Sequence, residues 1–490
     1  MSTGETLILA TLLLPLFTAG VIRAIGRAED VRDTITLLAG IALAILCAAM
    51  LVRTGEGDAP SLVLAHPLPG LDIAFKLEPL GALFALMSST LWAVNSLYSF
   101  GYMRAKRETN QTRFYMCFAL AMAGVMGVAM AGNLFTMFIF YEVLTFATYP
   151  LVAHKGDAAA RRAGRIYLGI LAGASVLLLL PAIIIIYVLA GSTDFVAGGL
   201  LVDKAGPATA GLLLALIVFG AAKAALFPVH AWLPNAMVAP APVSAMLHAV
   251  AVVKAGVFVL LKVSGYIFGA DLMHANPVTQ WLLWLAAATI VIASLVAMTK
   301  DEIKARLAWS TIGQLAYITS AALIGGAALT AGGLGMVTHA VGKITLFFGA
   351  GVIFAATGVS RVSEMRGLGR RMPLTFGAFL VGSLSVIGLP PFGGMWSKFL
   401  LITNAFDAGQ PWTAWAMIAS SILSTMYLMP IAVYGLLPPT GTQPAAFTLP
   451  GGAPRLSLTP IAITATLCLV LFFLAGPIVA FLGPLAGGAR

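Results

Sequence analysis

Of 490 residues, 60% are hydrophobic and only 9% are charged, with 28 basic and 18 acidic side chains giving a formal net charge of +10. Almost nothing remains for a soluble domain, and a positive charge spread over many short loops argues against nucleic-acid binding and for anionic lipid at a membrane surface. Apolar runs of about twenty residues, each long enough to cross a bilayer core, recur from end to end and predict an all-α polytopic membrane protein.

Fourteen spans are predicted, near 5–22, 34–52, 78–101, 114–131, 132–152, 167–190, 207–230, 242–264, 279–299, 306–325, 333–357, 373–403, 411–436 and 458–483. The first should be retained as a transmembrane helix rather than cleaved as a signal peptide, because Met1 to Leu13 carries Glu5 and no basic n-region. Taken alternately, the loops hold nineteen basic residues on one side, Arg27, Arg32, Arg161, Arg162, Arg306 and Arg366 among them. The other side holds five: Arg53, Lys76, Lys204, Lys262 and Arg490. The positive-inside bias then places both termini away from the cytoplasm.

Five charges fall inside spans: Glu142, Lys223, Lys254, Lys343 and Lys398. Near the bilayer centre each costs about 2.5–3.5 kcal/mol, on the order of 12–17 kcal/mol together if uncompensated, an expense that normally marks an ion or proton path. A lone intramembrane lysine commonly snorkels or pairs structurally; four with a glutamate argue for a path.

The seventh span is interrupted by Pro228 and Pro234 just after Lys223, and the twelfth by Pro390, Pro391, Gly393 and Gly394 just before Lys398. Proline removes a donor and frees carbonyls able to solvate an ion or water, and broken helices near the midplane are a transporter signature. A single break commonly serves packing. Two breaks five spans apart, each beside a lysine, are expected if spans 4–8 and 9–13 form inverted repeats.

The eighth span carries His248 and Lys254, six residues apart on different sides. The eleventh carries His339 and Lys343 at i and i+4, one face, and makes the better local relay. Low dielectric favours a neutral amine and a nearby carboxylate favours the ammonium again, so moving one charge moves protons elsewhere. Histidine titrates near neutrality and passes protons between its two nitrogens.

The three cysteines, Cys47, Cys117 and Cys468, stand singly in separate spans and cannot hold an iron–sulfur cluster, which needs about four thiolates. No nucleophile, base and orienting carboxylate come together in the loops, so no enzyme site is predicted. Gly342-Lys343 lacks the rest of a phosphate loop. The chain reads as a transporter subunit without a metal site or cofactor. A haem carrier ligated by His248 and His339 is a reading from another class, weakened because no arginine lies near either. A scaffold that retains the charges without transporting is a third. Sodium would want oxygen ligands, which Glu142 and freed carbonyls supply in part.

Four stretches carry a family resemblance: Lys223 to Gly256, Asp301 to Tyr317, Thr338 to Gly351 and Gly388 to Phe399. Over residues 80–435 the chain resembles the antiporter-like subunits shared by Mrp-type sodium/proton antiporters, respiratory complex I and membrane-bound hydrogenases. The resemblance implies fourteen helices with two inverted five-helix repeats and a hydrated polar axis along the midplane. It gives segments 1–113, 114–266, 267–437 and 438–490. It further implies that Glu142 pairs with Lys223, that Lys254 bridges, that His339 and Lys343 relay and that Lys398 ends the path. Asn235 stands where many relatives carry Asp, which removes a charge near the channel mouth.

Length and the stretch from His230 to Gly256 resemble the D-type Mrp subunit most, which implies proton translocation in a multi-subunit Na+/H+ antiporter of the cell membrane, with A-, B-, C-, E-, F- and G-type partners. The alternative is the proton-pumping subunit of a redox-driven complex. Any redox chemistry would then lie in other subunits.

Overall fold

Helix starts in this chain follow from its local chemistry. Ser2 and Glu5 form a reciprocal capping box on α1 (Thr3–Ile25). After α2 (Glu29–Gly55) come two antiparallel strands, β1 (Ser61–Leu68) and β2 (Leu71–Lys76), then α3 (Pro79–Ala105), which opens on proline, and α4 (Gln111–Met130). Asn133 caps α5 (Leu134–Val152), and Asp157 caps α6 (Ala158–Ala174), which a π-turn joins to α7 (Leu180–Ala190). These details come from a computed structural model describing residues 2–26, 28–438 and 454–487.

The chain continues with α8 (Pro207–Gly220), α9 (Trp232–Asn235), α10 (Ala241–Ala249), α11 (Val252–Val263), α12 (Ala270–His274) and α13 (Pro277–Thr299). There follow α14 (Ile303–Ile324), α15 (Ala327–Thr357), α16 (Leu368–Arg371), α17 (Pro373–Ile387), α18 (Gly394–Asp407), α19 (Pro411–Leu436) and α20 (Arg455–Phe481). Among the described residues, twelve helices are long and apolar enough to cross a membrane. Each overlaps a predicted span, and the two predicted spans outside that set contain the shorter α8 and α17. The protein is a helical membrane protein. Arg27, Arg490 and most of the loop opening the last predicted segment lie outside the described residues.

The structure departs from the sequence reading in three places. The β1–β2 hairpin occupies a stretch read as a loop, and it is anchored by backbone groups: Gly132 N donates to Ala74 O at 2.8 Å and Asn133 Nδ2 to Asp72 O at 2.7 Å. The predicted eighth span is kinked at Val250 without proline or glycine. Both Val250 N and Ala251 N donate to Met246 O there, so an extra residue is accommodated in the turn. The seventh span stops at Gly220, before Lys223 rather than after it.

The most buried helices are α10, α11, α14 and α15. The 31-residue α15 packs against α3, α10, α11, α14, α17, α18 and α20, and so forms the central post of the molecule. It can do so because small residues recur along it, among them Gly332, Gly335, Gly342 and Gly349.

Candidate functional site

The first buried charge cluster is built by α5 and the break after α8. Lys223 falls in a single 3-10 turn, Ala222–Ala224, closed by Ala225 in the left-handed conformation (φ 54°). Its fully buried ammonium donates to Tyr141 O at 2.9 Å and Thr145 Oγ1 at 2.7 Å and lies 3.0 Å from the centre of the Tyr141 ring. Glu142 acts on it electrostatically, but no ion-pair contact joins the two, and neither carboxylate oxygen of Glu142 has a hydrogen-bond partner among the described residues. The expected Glu142–Lys223 pair is therefore a near neighbourhood, because the amine is satisfied by the residues flanking Glu142 on α5.

α11 lies directly against this turn. A side chain at Gly256 would meet the backbone of Lys223 and Ala224, so glycine is what permits the approach. Two residues earlier, Lys254 Nζ is in hydrogen-bond contact with His339 Nδ1 on α15. The expected His339–Lys343 relay is thus rearranged. Lys343 Nζ instead donates to Leu307 O on α14 at 3.2 Å. An i,i+4 spacing places two side chains on one face but does not decide their partners when a neighbouring helix offers a closer one.

Lys398 on α18 donates to Ile387 O at 3.0 Å and to Ser421 Oγ at 3.1 Å. Ile387 ends α17, so this carbonyl belongs to the break made by Gly388, Pro390 and Pro391, and Gly393 and Gly394 restart the helix. A cavity of about 20 Å³ connects Lys398 with His339, lined by Gln314, Tyr317, Thr338 and Ser397. Lys254, Lys343 and Lys398 all act electrostatically on His339. His248 lies apart, stacked on Trp232 and beside Phe347, with neither ring nitrogen partnered among the described residues. Pro228 and Pro234 flank Trp232, whose indole takes up Ala222 O at 2.9 Å, so one carbonyl freed by the first break is already satisfied.

The sites thus form two groups: Glu142 with Lys223, and Lys254, His339, Lys343 with Lys398. Residues 131–424 match the family described as NADH:quinone oxidoreductase/Mrp antiporter, transmembrane. The chain belongs to that antiporter-like family.

It is 32% identical over 465 residues to a protein named NADH-quinone oxidoreductase subunit N from Desulforudis audaxviator, covering 91% of this chain and 90% of that one. It is 33% identical to NAD(P)H-quinone oxidoreductase chain 5 of a Picosynechococcus strain over 69% of this chain and 52% of the relative. A Rhizobium meliloti protein, named as the probable A/B component of a K(+)/H(+) antiporter, is 31% identical over 82% of this chain, which spans only 40% of that protein. In fold it resembles a chain of the Mrp complex from Dietzia sp. DQ12-45-1b, with TM-score 0.88, 24% identity and coverage of 99% and 97%. A chain of an archaeal membrane-bound sulfane sulfur reductase gives TM-score 0.85, 25% identity and coverage of 97% and 96%.

Sequence reasoning about this antiporter-like protein missed Tyr141, Thr145 and Ser421, which satisfy the lysines and which no charge pattern singles out. It also misplaced Lys262. Assigned to a loop, Lys262 is buried on α11 and paired with Glu78 at 2.6 Å. Tyr266, Ile267 and Phe268 continue the apolar run beyond it, the signal that it does not end a helix. Arg32 and Arg306, also counted with the loops, are buried too: Arg32 pairs with Asp33 at 2.8 Å, and Arg306 donates to Tyr427 O at 3.0 Å.

Proposed function

We propose that this chain is the proton-translocating subunit of a multi-subunit monovalent cation/proton antiporter, of the D type in an Mrp complex. The observation that carries the reading is the run of buried titratable groups gathered at two broken helices. Protonation at Lys254, His339 or Lys343 changes the field at Glu142 and Lys223, and the proton displaced leaves by another half-channel. Unit charges 4 Å apart interact by about 4 kcal/mol at an effective dielectric of 20, against about 2.3 kcal/mol per 100 mV of membrane potential, so repulsion suffices to move a proton uphill.

In this reading fourteen crossings form two inverted repeats, spans 4–8 and 9–13. Its support is that the first two spans of each repeat, α4 with α5 and α13 with α14, pack extensively on each other, and the fourth span of each is broken beside a lysine. The termini face away from the cytoplasm.

The second reading, a pump subunit of a redox-driven complex, draws on the match to nearly the full length of a quinone oxidoreductase subunit N. Gentle extraction of the complex through a tag on this chain, with mass spectrometry and absorption and electron-spin spectra, separates the two. Small hydrophobic companions with cation-dependent proton flux in proteoliposomes are expected; co-purifying iron–sulfur proteins overturn the antiporter reading.

A further inference from the structure

The Lys262–Glu78 pair lies outside the relay just described. The Lys262 side chain is 1% exposed and that of Glu78 11%. Besides Glu78 Oε1 at 2.6 Å, the ammonium reaches Ala131 O at 2.7 Å and lies 4.3 Å and 5.6 Å from the ring centres of Phe195 and Phe258. A carboxylate, a carbonyl and two aromatic faces thus converge on one unit of positive charge. Beside them is a cavity of about 250 Å³, lined by Thr54, Asp58, Lys76 and Tyr266 as well as the pair itself. Thr54, Lys76, Glu78, Ala131 and Lys262 stand at or beside the ends of helices or strands, and Asp58 and Phe195 lie in connecting loops.

We propose that Glu78 and the Ala131 carbonyl form a binding site for a monovalent alkali cation, which the tethered ammonium of Lys262 occupies in this structure and from which the cation displaces it. Hard oxygen donors suit such an ion, and the aromatic faces stabilise any cation seated there. The geometry also provides for exchange. Lysine carries a compact charge on a flexible four-carbon stem, and the cavity gives the ammonium a place to swing while it stays protonated. The carboxylate is neutralised in both states, once by the ammonium and once by the ion, and the displaced ammonium moves into the cavity that Asp58 also lines. The site lies two helical turns, about 12 Å, along α11 from Lys254, within electrostatic range of the relay.

This inference rests on the antiporter reading, and the two fail in distinguishable ways. The intact complex in proteoliposomes is assayed for proton flux against NaCl and KCl concentration. Glu78→Gln is expected to raise the half-saturating cation concentration about tenfold, equivalent to 1.4 kcal/mol, with the maximal rate changed little. Lys262→Met, which removes the competitor, is expected to lower it. Opposite shifts from the two halves of one ion pair are what a structural pair does not give; shifts in the same direction, or none, overturn the proposal. If a single variant fails to assemble, the neutral Glu78→Gln/Lys262→Met double variant is used for equilibrium binding of radioactive sodium, where loss of binding is expected and retained binding overturns the proposal. A wild-type complex without cation-dependent flux removes the antiporter reading alone. The site then stands or falls on equilibrium binding of radioactive sodium, lost in Glu78→Gln if it exists and retained if it does not.

Discussion

The two broken helices solve one problem, holding a lysine amine inside a bilayer, in different ways. Lys223 sits within its break and takes its partners from α5, the helix that also carries Glu142. Lys398 sits past its break and binds the carbonyl of Ile387 that the break itself releases, with a serine from α19 completing the set. The first lysine therefore depends on a foreign helix and a nearby carboxylate. The second is supported largely by its own span and has no acidic neighbour in contact among the described residues. The position of each lysine relative to its break sets this difference: the break before Lys398 offers it the Ile387 carbonyl, whereas Ala222 O, freed at the first break, is taken by Trp232.

The contrast is sharpest on removing charge. Glu142→Ala or Lys223→Ala is expected to lower proton flux about 100-fold or more, the scale of a lost proton-transfer group, with the complex still assembled on a native gel. Normal flux in either variant contradicts the relay. Lys398→Met is expected to cost less, about tenfold, because Lys254 and Lys343 also act on His339. Should it abolish flux as fully as Lys223→Ala, the two breaks are equivalent and the comparison fails.

A smaller effect is expected where α11 meets the Lys223 turn. Gly256→Ala places a methyl group against the Lys223 turn, an overpacking worth about 1–3 kcal/mol. It is expected to lower the melting temperature of the complex and slow flux together; wild-type behaviour in both measurements shows that this contact is loose.

The smallest effect concerns His154, outside the spans between α5 and α6, where burial and then the Arg113 charge push its pKa down from 6.5 to about 4. The folded protein holds this ring neutral while the unfolded chain protonates it first, so its stability contribution is full above pH 6.5 and is lost as pH falls toward 4. Melting temperature against pH is expected to be flatter in that window for His154→Gln; an unchanged profile assigns the acid sensitivity elsewhere.

How far these features are legible in sequence depends on their range. Spans, breaks and intramembrane charges follow from hydropathy and proline placement, which are local, and the lysine-bearing segments were recognisable as a family pattern. Partner choice was not legible. His339 meets Lys254 across two helices, and Tyr141 and Thr145 displace Glu142 as the direct partners of Lys223. Long flexible side chains reach several candidates, and only tertiary packing ranks them. Lys262 was lost for a related reason: near the end of a predicted span, a snorkelling lysine and a buried one have the same local sequence.

The length of α15 bears on how the protein is made. Its 31 residues extend about 46 Å at 1.5 Å per residue, longer than the roughly 30 Å hydrocarbon core, and Lys343 lies almost at its centre. Alone in lipid, such a helix holds its amine as far as possible from either surface, and its glycine-lined flanks offer little to acyl chains. It becomes a comfortable membrane segment only once α14, made before it, and α17 and α18, made after it, have closed around it. Biogenesis is then expected to hold this helix beside the insertion machinery until its downstream neighbours arrive, so truncation after Thr357 leaves a product for quality control rather than a smaller transporter.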